Sequence, residues 1–403
     1  MRRRIVLTRC LIAWSALCLA MEAGAALRVA TDFPGGSGDV TSLHPGSRIV
    51  RMQPTAHPDR GWPCWWYVRL EGAPPGAPVT LEVRGMNFAL PERAAVSHDH
   101  KLWTQSAPGE AVPGGRVYRI VPNGGTTWVA WGPPYQAADA LSLVRRLASE
   151  DPSVDAFELC RTREGRPVPA LRFRPTSQEP SSGHRIIWVQ ARQHAWECGS
   201  SWVAQGLAEW LVTPDAQDLR TRTEIIVVPV VDIDNVERGA GGKDQKPHDH
   251  NRDWSDNPHW NAVRATQSFL TQRDARGLLS VFIDLHNPGP GDREPFFFMA
   301  PESLLSPPSR SAHARFFEAA RRQLSEGSLP YRGTVRTTGP EYHPRWEQIS
   351  SVWVARSMTR PVVAVCLETS WNTPASQVEG YEEVGARLGK ALALFETGGG
   401  KYE

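Results

Sequence analysis

The chain has 403 residues, 40% apolar and 22% charged, with 16 Trp and six Cys. That composition builds large cores over two or three domains and excludes wholesale disorder and the collagen, coiled-coil and disulfide-scaffold classes. The first 25 residues carry four Arg and one Glu; without them 41 basic residues face 42 acidic ones, which argues against a nucleic-acid or polybasic membrane partner.

The N-terminus reads as an address. Arg2-Arg3-Arg4, an apolar run from Ile5 to about Ala20, and Ala23-Gly24-Ala25 describe a secretory signal peptide over 1–25, cleaved after Ala25. The run is interrupted by Thr8 and Arg9 and is short for a span, so removal is favoured over a retained anchor. No later segment is apolar for long enough to cross a bilayer, so the mature chain is expected to be exported, periplasmic or secreted, with no stable membrane span. Cys10 and Cys18 leave with the signal. Cys64, Cys160, Cys198 and Cys366 remain, at spacings that match no zinc ribbon, and buried free thiols are expected for at least two of them.

From 26 to 135 the sequence predicts short strands separated by Pro and Gly, at 47–52, 64–70, 78–84, 101–104, 116–121 and 126–131. Short β-rich runs with frequent turn signals predict a β-sandwich domain. Beyond Pro133-Pro134-Tyr135 the pattern changes. A helix is predicted over 137–149, with Ala137, Leu141, Val144 and Ala148 on one side. Strands are then predicted at 155–161, 168–173, 185–191, 224–232, 279–285 and 361–367, with helices at about 199–213, 257–272, 309–326, 345–358 and 376–397. Near-continuous Val/Ile strands with helices between them predict an α/β domain over 136–398: a mixed, mainly parallel sheet covered by helices on both faces. Ligands in such folds gather beyond the carboxyl ends of the strands.

Four features fall at those ends. His194 and Glu197 follow the 185–191 strand, three residues apart, so one turn can aim both at a common centre. His286 ends the 279–285 strand. Two imidazoles and a carboxylate with an open fourth position make a common catalytic zinc set. Glu368 ends the 361–367 strand, where an acid can serve as general base. Asn251 and Arg252 sit in a polar loop, and the planar guanidinium fork of Arg252 fits a carboxylate. Each element alone is weak; the ordered set is not.

The sequence resembles the zinc metallocarboxypeptidases of the carboxypeptidase A type, and within them the cytosolic-carboxypeptidase-like branch. The resemblance rests on Arg-Gln-His-Ala-Trp-Glu-Cys-Gly-Ser-Ser-Trp at 192–202, His-Asn-Arg-Asp-Trp at 250–254, Phe-Ile-Asp-Leu-His at 282–286 and Leu-Glu-Thr-Ser at 367–370. More loosely, it includes the aromatic strand at 64–70. It implies one Zn²⁺ ion held by His194, Glu197 and His286. It also implies Glu368 as base and proton shuttle, and Asn251 and Arg252 as the anchor for the carboxylate at a peptide or protein C-terminus. The resemblance further implies an oxyanion-stabilising Arg, for which Arg238 is the candidate and Lys243 and Lys246 are rivals, and a Tyr over the bound residue, for which Tyr342 is the candidate.

The expected activity is hydrolysis of the C-terminal amide bond of peptides. Two alternatives stay open at this point. One is a zinc-dependent amidase, deacylase or cell-wall stem-peptide carboxypeptidase on the same fold. The other is a non-catalytic binding protein. His248, His250 and His259 read as hydrogen-bonded loop residues, and His98-Asp99-His100 as a surface loop.

Overall fold

A computed structural model describes residues 26–86, 90–176 and 184–398. The segment read as a signal peptide and residues 399–403 lie outside the described residues. Ten short strands come first: β1 (Arg28–Ala30), β2 (Asp39–His44), β3 (Ile49–Gln53), β4 (Tyr67–Glu71), β5 (Val79–Arg84), β6 (Ala95–Ser97), β7 (Thr104–Gln105), β8 (Glu110–Val112), β9 (Gly115–Ile120) and β10 (Thr127–Ala130). They form two five-stranded sheets, β1-β4-β10-β6-β7 and β2-β3-β5-β9-β8. Val50, Trp66, Val68, Leu81, Tyr118 and Val129 belong to one buried cluster, as a sandwich requires. The strand expected at 101–104 begins only at Thr104, because residues 98–103 make a loop pinned by Asp99, which accepts from the Lys101 and Leu102 backbone N–H groups. Strand β2 carries no buried residue and so shows no apolar alternation to read.

The second half continues with α1 (Ala137–Glu150), β11 (Val154–Arg161), β12 (Pro167–Phe173), β13 (Arg185–Ala191), α2 (Cys198–Leu211), α3 (Gln217–Arg222), β14 (Thr223–Val228), α4 (Ile233–Arg238), α5 (Asn261–Asp274), β15 (Leu279–His286), β16 (Phe296–Met299), α6 (Pro307–Leu324), β17 (Val335–Thr337), α7 (Ser350–Ser357), β18 (Val363–Glu368) and α8 (Val378–Thr397). The strands make one eight-stranded sheet in the order β11-β12-β14-β13-β15-β18-β16-β17. Its centre, β14-β13-β15-β18, is parallel. Strands β14, β15 and β18 are buried at every residue, which is why they read as unbroken apolar runs. Alternate side chains feed opposite layers. In β13, Ile187, Val189 and Ala191 join the core with α2, α6 and α8, while Ile186 and Trp188 join the core with α5 and α7.

Helix α1 buries Ala137, Ala140, Leu143, Val144 and Leu147, so its inner stripe is rotated from the expected one and leaves Leu141 and Ala148 only half-buried. Helix α2 meets α8 at glycines. A Cβ on Gly206 would fall 2.2 Å from the carbonyl oxygen of Glu382, and one on Gly385 would fall 2.1 Å from that of Val203. Backbone cannot yield as a side-chain tip can, so Gly206→Ala is expected to cost about 3 kcal/mol through overpacking, against a helix-propensity gain of only about 1 kcal/mol. Denaturant titration of the variant checks the sign; an unchanged or raised midpoint would refute it.

Candidate metal and catalytic site

Strands β13, β15 and β18 are neighbours in the sheet, and their parallel pairing brings their carboxyl ends to one edge. Ala191 pairs with Leu285, and His286 pairs with Glu368. The chain leaves β13 through Arg192, whose φ of +67° sets the sharp exit. The buried Arg192 guanidinium holds the turn, with Nε donating to the Ala195 carbonyl at 2.7 Å. That turn presents His194 and Glu197 over the end of the sheet, where His286, the last residue of β15, meets them.

The three side chains converge. His194 Nδ1 lies 2.7 Å from Glu197 Oε1, and His286 Nδ1 lies 2.6 Å from Glu197 Oε2. All three residues are buried, and their ligating atoms lie within 4.8 Å of one another, the one such group among the described residues. Burial works against the Glu197 charge, but the two imidazoles outweigh it and hold the carboxyl ionised. Two imidazole nitrogens and an ionised carboxylate facing one point fit a zinc ion in both donor type and number.

A pair of acids stands behind the imidazoles. His286 Nε2 lies 2.9 Å from Asp284 Oδ2, and His194 Nε2 faces Asp249 Oδ1 at 3.4 Å. Asp284 is itself fixed by the Ser350 hydroxyl at 2.6 Å and by the Gln193 amide. The Asp284 carboxylate on the far nitrogen of His286 selects the tautomer that leaves its Nδ1 free to bind a metal, and Asp249 faces the corresponding nitrogen of His194. Sequence alone does not single out these acids, although Asp284 and His286 are two apart on a strand and so share a face. Asp249→Asn is expected to weaken zinc binding about 10–100-fold. Chelator competition measures this, and an unchanged affinity would remove Asp249 from the role.

Glu368 closes β18 and is buried. Burial, with a smaller push from Glu197, raises its carboxyl to about 7 against the opposing pull of His286. Its Oε2 has no hydrogen-bond partner, and neither does Arg252 Nε. Arg252 and Asn251 sit in a short 3₁₀ turn, His250–Arg252, where Arg252 Nη1 donates to the Asn251 carbonyl at 2.8 Å. The Asn251 amide is oriented by the Ser350 N–H, which donates to its Oδ1 at 2.9 Å. These residues line a cavity of about 280 Å³ together with Lys243, Tyr342, Trp196 and Trp371. Tyr342 lies over Arg252, 5.8 Å from ring centre to Cζ, and rests on Phe298.

Arg238 is not in this cavity, which corrects the first choice of oxyanion donor. It ends α4 on the outside of the molecule, and its guanidinium pairs with Glu164 at 2.8 Å. Lys243, the rival, does reach the cavity. Burial and the neighbouring Arg252 lower its pKa, while Asp249 and Glu197 oppose the change. The loop histidines have ordinary roles. His248 Nε2 is 2.5 Å from Asp253, and His250 stacks on Trp260 with ring centres 4.6 Å apart. All four described cysteines are free, and Cys64, Cys198 and Cys366 are buried.

Residues 140–277 match the zinc carboxypeptidase family model. That stretch is similar to zinc carboxypeptidase domains. Two curated relatives and two solved structures are also similar to the chain. Cytosolic carboxypeptidase 6 of Caenorhabditis elegans is 30% identical over 134 residues, 32% of this chain and 29% of that protein. An uncharacterized protein of Zymomonas mobilis is 24% identical over 200 residues, 48% of this chain and 50% of that protein. The chain thus spans half or less of the length of these curated relatives. A metallo-carboxypeptidase from Burkholderia cenocepacia superposes with a TM-score of 0.79 at 20% identity, covering 93% of this chain and 99% of that one. One from Pseudomonas aeruginosa, solved in complex with (2-guanidinoethylmercapto)succinic acid, gives a TM-score of 0.76 at 20% identity, over 92% and 99%. At that identity the likeness establishes the fold, and it extends over the sandwich as well as the carboxypeptidase domain. The family match ends before His286 and Glu368, so these two members of the converged site lie outside it.

Proposed function

We propose that this protein is an exported, zinc-dependent carboxypeptidase that removes the last residue of peptides by hydrolysis. The observation that carries the reading is the convergence, in one cavity, of the His194–Glu197–His286 group with Glu368 and Arg252. Arg252 offers its unpartnered Nε to the terminal carboxylate of the peptide, and Asn251, held by Ser350, flanks it. Tyr342 covers the seated residue. Zinc, when bound, polarises the scissile carbonyl and acidifies a water molecule.

Glu368 takes the proton of the attacking water at the unpartnered Oε2 and returns it to the leaving amine. A carboxyl raised to about 7 suits both steps, since a base poised near neutrality is also a competent acid. Lys243 directs its ammonium at the oxygen on which charge develops. The basic and then apolar N-terminus supports export.

The test is a digest of a peptide library by zinc-loaded protein, read by mass. The expected result is loss of single residues from C-termini, abolished by chelation and restored by zinc. Release of acyl groups alone, with peptides left whole, would overturn it.

A further inference from the structure

Of all the residues that line the cavity, one comes from the first half of the chain: Trp62, in the sandwich. It is not there by loose contact. Three main-chain hydrogen bonds join its loop to the loop that carries Lys243. The Lys246 N–H donates to the Asp59 carbonyl at 2.9 Å, the Gly242 N–H to that of Arg60 at 2.9 Å, and the Trp62 N–H to that of Lys243 at 2.9 Å. The approach is close enough that a Cβ on Gly61 would fall 2.2 Å from the Lys243 carbonyl oxygen, and one on Gly241 would fall 2.1 Å from that of Trp62. The indole is aimed as well as placed, because its Nε1 donates to Asp244 Oδ2 at 2.7 Å. An aromatic face is thus held at a fixed angle beside Lys243, at the edge of the cavity.

The terminal carboxylate and the last side chain are accounted for by Arg252, Asn251 and Tyr342. Trp62 adjoins the other functional group, the Lys243 loop, next to the scissile carbonyl. We propose that Trp62 is a specificity-determining residue that packs against the side chain of the substrate residue preceding the scissile bond, so that the sandwich selects the peptide upstream of the cut. This rests on the carboxypeptidase reading above. A flat indole favours large apolar side chains there over glycine, since aromatic faces gain both from buried area and from ring contact.

The experiment compares two blocked peptides that share their last residue and differ only in the one before it, leucine or glycine, on zinc-loaded protein. The expected parent prefers leucine through a lower KM. In Trp62→Ala that preference falls about fivefold, as expected for loss of an aromatic contact worth roughly 1 kcal/mol. The kcat for both peptides and the KM for the glycine peptide stay as they were. Trp62→Phe keeps the preference. Trp62→Gln, which retains a donor for Asp244 but no aromatic face, gives the same reading as Trp62→Ala should the alanine variant not fold. A merely structural tryptophan would slow both peptides alike, and that result, or an unaltered preference, overturns the proposal while leaving the carboxypeptidase reading intact. A parent that cleaves neither peptide overturns both.

Discussion

Glu368→Gln is expected to keep its fold and its zinc and to lose about 10²–10⁴ in kcat. Glutamine has nearly the same shape and preserves an acceptor, so the weak contact from Cys366 Sγ, 3.8 Å from Oε1, survives. What it lacks is a site for the water proton. Burial already disfavours the carboxylate here, so the neutral amide relieves a desolvation cost and stability should hold or rise slightly. The measurement is single-turnover hydrolysis beside metal content and thermal melting. A variant that folds, binds zinc and trims peptides at the parental rate would show that proton transfer runs through another group.

Lys243→Ala is expected to cost about 10²–10³ in kcat, the usual loss on removing one oxyanion donor. The argument is positional. Lys243 lines the cavity, and its backbone is tied down by the Trp62 N–H. Arg238→Ala is the paired control and is expected to leave the rate unchanged, because that side chain pairs with Glu164 outside the cavity. Lys243→Arg should recover part of the loss, since a guanidinium supplies the same charge with a different donor geometry. Steady-state kinetics on a single peptide decide it. Equal losses at positions 243 and 238, or none at 243, would take the oxyanion role away from Lys243.

The parts of this molecule that could be read from sequence are those whose signal is local. Strands β13, β15 and β18 announce themselves by unbroken apolar runs because both faces are covered, and His194, Glu197, His286 and Glu368 stand out because they sit where those runs stop. Helix α4 is short, six residues, and falls below what periodicity can register. The choice between Arg238 and Lys243 was not open to local reading, because the path of residues 239–249 is decided by the 59–62 loop, about 180 residues away in sequence. Trp62 was hidden for the same reason. Nothing in the Trp62-Pro63-Cys64 stretch distinguishes it from the core tryptophans 65 and 66, which the structure buries.

The seam between the halves has an outcome for how this protein could be cut or rebuilt. Trp131, at the end of the sandwich, packs on Trp196 and Trp371, with ring centres 5.1 and 4.4 Å away; Trp196 sits between His194 and Glu197, and Trp371 follows Glu368 by three residues. Gly132 lies so near Cys198 that a Cβ there would come within 2.9 Å of its sulfur. Stripping away residues 26–131 would leave the Trp196 and Trp371 indoles open to water and untether the loop that carries Lys243. The α/β half is therefore not a portable module, and a chimera that exchanges the sandwich must carry the tryptophan seam with it.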